Sequence, residues 1–150
     1  MPGRVVLGSD HAGFALRKVI ARYLAGQGTD TYEVGAEGET PYDYPDAGFL
    51  VAEEVASGRA ENGILVCGTG IGVCIAANRN PKVRGAVCWS TESAKLAREH
   101  NGANVLCLGS RLLSEGQAVE IAEVFLHTSE DVSDRHVRRR RKLEGPGALA

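Results

Sequence analysis

The sequence predicts an α/β protein: a mostly parallel sheet of about five strands with helices on both faces, a three-layer α/β/α sandwich. Three observations carry this. Short, β-branched apolar runs alternate with stretches whose apolar residues recur at helical spacing. No linker and no internal repeat interrupts that alternation, so residues 1–150 read as one domain. Finally, the stretch Ile64-Leu65-Val66-Cys67-Gly68-Thr69-Gly70-Ile71-Gly72 reads as a buried strand, a tight turn and the start of a helix.

The elements follow in order. Val5-Val6-Leu7, within 4–8, is too short for a helix and reads as a buried strand. Leu16, Val19, Ile20, Tyr23 and Leu24 then recur at helical spacing, and Gly26 and Gly28 stop the helix. A second strand spans 31–34, and 41–46 is a loop. Pro45 opens the next helix, with Leu50, Val51 and Val55 on its apolar face and Gly58 as its stop. Strand three is 63–67, and the helix after the glycine turn runs to about Asn78, with Pro81 beyond it. Strand four is 85–89, and Ser90 or Thr91 caps a helix running towards His100. Strand five is 105–108, after which Ser114 and Gln117 form a capping box for a helix to about Leu126. A basic helix over 133–143 precedes a tail, 144–150, expected to fray.

Composition narrows the function classes. Hydrophobic residues are 43% and charged residues 24%, the balance of a soluble globular chain. A net charge of -2 gives no global basic field for nucleic acid. No apolar run approaches the roughly 20 residues of a membrane span, and the opening Met1-Pro2-Gly3-Arg4 has no signal-peptide pattern. The cysteines at 67, 74, 88 and 107 form no Cys-x-x-Cys pair, which argues against zinc and against a disulfide framework. A reducing cytoplasm is the expected compartment.

In parallel sheets ligands bind beyond the carboxyl ends of the strands. Asp10-His11 follows strand one, Cys67 and its glycine turn follow strand three, and Ser110-Arg111 follows strand five, so all three sets share one edge. The turn points unpaired N–H groups, and the positive end of a helix, at one spot, which suits an anion. Its Gly68-x-Gly70-x-Gly72 spacing is neither the dinucleotide fingerprint nor a Walker loop. A helix N-terminus favours a thiolate, so Cys67 there can serve as a general base. Cys74, Cys88 and Cys107 read as small buried hydrophobes. Asp10 also suits a helix cap, and His100-Asn101 suits a helix end. In the basic run, Arg135 and Arg139 lie four apart on one helix face, where two guanidiniums fit a phosphate. A solvated helix face is the plain alternative.

Gly8-Ser9-Asp10-His11-Ala12-Gly13, Asp43-Tyr44-Pro45, Cys67 to Gly72 with Ile75-Ala76-Ala77-Asn78, and His100-Asn101-x-x-Asn104-Val105-Leu106 together resemble the ribose-5-phosphate isomerase B family of sugar-phosphate isomerases. The match runs from Val5 to about Arg139. The resemblance implies a Rossmann-like sandwich, a homodimer or tetramer, no metal and no cofactor. It implies interconversion of ribose 5-phosphate and ribulose 5-phosphate through an enediolate. By resemblance, Cys67 is the proton-transferring base, and the amides of Gly68, Thr69, Gly70, Ile71 and Gly72 hold the enediolate. His100 opens the furanose ring, Asp10 contacts sugar hydroxyls, and Tyr44 and Asn101 bind substrate. His11, Arg111, Arg135 and Arg139 lie on the phosphate side, the last by a register left open within 138–141. One branch of the family uses serine and a nearby glutamate instead of the cysteine; Val73-Cys74-Ile75 offers no carboxylate here. A six-carbon sugar phosphate, or a nucleotide-binding module without catalysis, are the competing readings.

His100 ends the helix before strand five, so it falls at the opposite end of the sheet from Cys67. A five-residue strand spans roughly 17 Å, more than one sugar phosphate bridges. His100 and Asn101 are therefore expected to serve a neighbouring subunit's site.

Overall fold

The computed structural model describes residues 2–145. Five parallel strands pair in the order β2-β1-β3-β5-β4, where β1 is Val5–Ser9, β2 Thr31–Gly35, β3 Asn62–Cys67, β4 Gly85–Val87 and β5 Val105–Gly109. Six helices complete the chain: α1 Phe14–Gly26, α2 Tyr44–Ala56, α3 Ile71–Ala77, α4 Thr91–Asn101, α5 Glu115–His127 and α6 Asp134–Leu143. The α/β sandwich expected from the sequence is the fold observed.

Side chains along the buried central strands alternate between the two faces of the sheet. Val5, Leu7, Ile64, Val66, Leu106 and Leu108 join α1, α4 and α5 in one core around Phe125. Val6, Leu65, Cys67, Val105 and Cys107 point the other way, onto α2 and α3. Both faces are covered, so the strands read as continuous apolar runs. A fully buried side chain such as Phe125 contributes up to about 3 kcal/mol by burial.

Several local expectations change. Helix α1 begins at Phe14, after Gly13, and Asp10 Oδ1 accepts the Gly13 N–H at 2.9 Å, closing the turn before it. Helix α2 starts one residue before Pro45, at Tyr44. Leu50 is 45% exposed; Ala47, Gly48 and Ala52 join Val51 and Val55 on the buried side, because the short residues let α2 lie close to the sheet and α3. Strand β4 stops at Val87, since it is an edge strand paired only with β5. Cys88 and Cys107 are buried as expected, whereas Cys74 is half-buried and its sulfur accepts from Asn78 Nδ2 at 3.4 Å. Both Ser90 and Ser114 cap their helices with full capping boxes. Of the expected frayed tail, 146–150 lie outside the described residues, while Glu144 pairs with Arg84 at 3.2 Å. Among the described residues, no helix is long and apolar enough to cross a membrane.

Candidate active site

The three central strands β1, β3 and β5 lie side by side, and their carboxyl ends deliver the chemistry to one place. A cleft of about 430 Å³ there is lined by Asp10, His11, Tyr44, Cys67, Gly68, Thr69, Ile71, Gly72 and Arg111, with Ala12 and Ile75. The loops are tied together by backbone. Ser110 N–H donates to Cys67 O at 2.9 Å, Arg111 N–H to Gly68 O at 3.0 Å, and Ser110 Oγ to Ala12 O at 2.9 Å.

Cys67 ends β3 on its α2/α3 face, is 4% exposed and lines the cleft. Gly70 N–H donates to its Sγ at 3.2 Å. Gly70 adopts φ +79, a left-handed conformation open to glycine, and a methyl there would lie 2.9 Å from the Leu108 backbone. Ile71 N–H donates to Thr69 Oγ1 at 3.2 Å, which leaves the Thr69 hydroxyl proton free to donate. Thr69 and Gly72 N–H have no acceptor among the described residues. These amides and the α3 N-terminus face the same cleft as the sulfur.

The flanking side chains are held too. Tyr42 N–H donates to His11 Nδ1 at 3.0 Å, which places the neutral ring's proton on Nε2; Tyr42 O, 3.2 Å from the same nitrogen, accepts from it when the ring is cationic. The Tyr44 ring lies against Gly72, where a methyl would sit 2.6 Å from the ring. The Arg111 guanidinium lies over Gly68, its Nη1 2.9 Å from where a methyl would stand. Asp10 is 7% exposed. The contributions of Ala12, Ile75 and the Tyr42 backbone were missed by sequence reasoning, because an apolar wall and a main-chain hydrogen bond leave no residue-type signal.

Four expected site residues are elsewhere. His100 and Asn101 end α4, four residues before β5 opens at Val105, whereas Cys67 pairs in register with Gly109 at the far end of β5. His100 stacks on His136, ring centroids 4.3 Å apart and 8° from parallel. Arg135 and Arg139 are exposed on α6, which packs on α4. Arg140, in contrast, is 6% exposed and turned into its own chain, which removes it from the register left open by the arginine run. Among the described residues, no group of three or more His, Cys, Asp and Glu side chains is placed to hold a metal ion.

A family model described as Ribose/Galactose Isomerase matches residues 5–143. The chain belongs to that family. Escherichia coli ribose-5-phosphate isomerase B is 38% identical over 136 residues, 91% of each chain. A 4-deoxy-4-sulfo-D-erythrose isomerase of Clostridium sp. (strain MSTE9) is 38% identical over 126 residues, 83% of this chain and 79% of that one. The solved ribose-5-phosphate isomerase B of Mycoplasma genitalium, with bound ribulose-5-phosphate, superposes with a TM-score of 0.90 at 38% identity, covering 96% of this chain and 95% of that one. This family member is an isomerase, which sets aside the nucleotide-binding module.

Proposed function

We propose that the chain interconverts D-ribose 5-phosphate and D-ribulose 5-phosphate through an enediolate, at sites completed by a neighbouring subunit in a homodimer or dimer of dimers. The observation that carries this is Cys67: a cysteine lining the cleft at the carboxyl ends of the strands, beside the Thr69 and Gly72 amides, which have no acceptor among the described residues. It is supported by the relatives' printed activities. Four free thiols fit a reducing cytoplasm.

The phosphate is held by His11 Nε2–H and Arg111, with Arg135 and Arg139 reaching in from the neighbour. A neighbour's His100 donates a proton to the furanose ring oxygen as the C1–O bond breaks, and the anomeric hydroxyl gives its proton to water. Asn101 beside it binds the open sugar, Asp10 accepts from its hydroxyls, and Tyr44 walls the cleft. The Cys67 thiolate takes the C2 proton, and the electron pair moves through C1–C2 onto the C1 oxygen. The Thr69 and Gly72 amides of the turn stabilise that oxyanion, aided by the positive end of α3. The proton returns to C1 while the hydroxyl proton passes from O2 to O1, with the Thr69 hydroxyl on its path. The proton lifted by Cys67 is set back on C1, and His100 recovers from water a proton equal to the one it gave, so the reaction balances without a cofactor.

A second reading keeps these steps with a six-carbon sugar phosphate. The family's description, which spans ribose and galactose, favours keeping it. The test is an assay of purified protein on ribose 5-phosphate, allose 6-phosphate and galactose 6-phosphate, with and without chelator. Highest kcat/KM on ribose 5-phosphate supports the first reading, and a hexose preference supports the second. Absence of turnover on all three overturns both, and loss of turnover on chelation overturns the cofactor-free mechanism.

A further inference from the structure

The proposed proton donor is held in an unusual way. Among the described residues the His100 ring makes no hydrogen bond; its contact of defined geometry is the stack on His136 at 4.3 Å and 8°. His136 is 6% exposed, on α6. Its Nε2 lies 3.8 Å from Asp131 Oδ2. Asp131 is itself fixed, its N–H donating to Glu99 O at 2.9 Å and its Oδ1 accepting from Ser133 N–H at 2.8 Å.

The backbone beneath His100 is clamped by the same segment. Arg140 donates through Nη1 to Glu99 O at 3.2 Å and to His100 O at 3.4 Å, and through Nη2 to Asp131 O at 2.8 Å. A guanidinium at the carbonyl end of α4 answers acceptors that a helix leaves open and opposes the negative end of its dipole. The main chain of His100 is thus set by Arg140, and its ring plane by His136.

We propose that His136 is a positioning residue for the ring-opening proton donor: its buried ring is the flat platform on which His100 stacks, and so fixes the direction in which that imidazole leaves the chain. The inference rests on the isomerase reading of Cys67 and His100. Two stacked imidazoles tolerate one charge but not two. Burial, and the neighbouring His100, hold His136 below the usual imidazole range, which favours the neutral ring in the stack. A proton donor displaced by about 1 Å loses on the order of 100-fold in rate, so its orientation is where a supporting residue has leverage.

The test compares His136→Phe, which keeps a flat ring, with His136→Leu, which keeps bulk without one. With ribose 5-phosphate, His136→Leu is expected to lower kcat by about tenfold or more with KM nearly unchanged, and His136→Phe to retain most of it. Proton NMR reads the stack directly: the upfield displacement of the His100 ring protons persists in the Phe variant and disappears in the Leu variant. Equal kcat in the two variants, or a loss expressed in KM alone, overturns the proposal. His100→Ala, measured beside them, separates the two levels. If it keeps native kcat, His100 is not the acid and the mechanism fails at that step; the NMR comparison still reports whether His136 orients the ring.

Discussion

The two ends of the sheet are built from different materials. At the carboxyl end, the cleft is made largely of main chain: amides of the glycine turn, the Tyr42 N–H on His11, and loop ties between β1, β3 and β5. At the amino end, the His100 corner is made of side chains from α4, α6 and the segment between α5 and α6. A main-chain cradle asks only for residues that let the backbone bend and approach. A side-chain corner asks for particular residues meeting from distant positions. The first is suited to stabilising charge that appears during reaction; the second is suited to holding one proton donor in one direction.

The sharpest test of that division is its carboxyl half. Cys67→Ala is expected to lower kcat by about 10³-fold while substrate binding stays near native, measured by calorimetry with ribose 5-phosphate. The cradle and the phosphate contacts survive the change; only the base is lost. Native turnover in this variant would remove Cys67 as the base.

If the two ends serve different subunits, their defects complement. Cys67→Ala and His100→Ala proteins, each inactive alone, are mixed and allowed to exchange. Random exchange in a two-site dimer gives one intact site in half of the dimers, hence about a quarter of native activity. No recovery, with exchange verified by mass spectrometry, breaks the assignment of His100 to a neighbour's cleft.

A smaller effect separates the arginines of α6. Arg135→Ala and Arg139→Ala each remove a charge-assisted hydrogen bond worth about 1.5–3 kcal/mol, so KM for the sugar phosphate rises by about 10- to 100-fold with kcat largely kept. Arg138, exposed on the same helix, is the control and its removal leaves KM near native. A fall in kcat alone for Arg135→Ala contradicts an anchoring role.

The contrast between the ends also explains what could be read in advance. Strand-helix alternation places Asp10, Cys67 and Arg111 at one edge because parallel strands all point one way, so residues 10, 67 and 111 converge without any coordinates. The same logic puts His100 at the other end. The amino-end corner resists such reading: His100 and His136 are 36 positions apart, and nothing in a run of Arg138-Arg139-Arg140-Arg141 says that Arg140 alone turns inward. That depends on the angle at which α6 crosses α4, which tertiary packing sets. Leu50 fails for a related reason, since α2 buries its small residues and turns the larger one outward.

The gentlest perturbation is acid, and it acts on the amino end first. His136 is held below the usual 6.5 by burial, by His100, and by Arg135 and Arg139, with Asp131 pulling the other way. The unfolded chain therefore binds a proton at this position more readily than the folded one, and stability falls as pH drops below about 6.5. Asp131 is held below 3.8, first by the Ser133 N–H, so its contribution is intact above that value and is lost only in stronger acid. Thermal unfolding of the native protein should show Tm declining from about pH 6.5 downward, and the His136→Phe variant should show a shallower decline over the same interval. Parallel curves for the two proteins would mean that His136 titrates alike in both states and that its neutrality places no strain on the stack with His100.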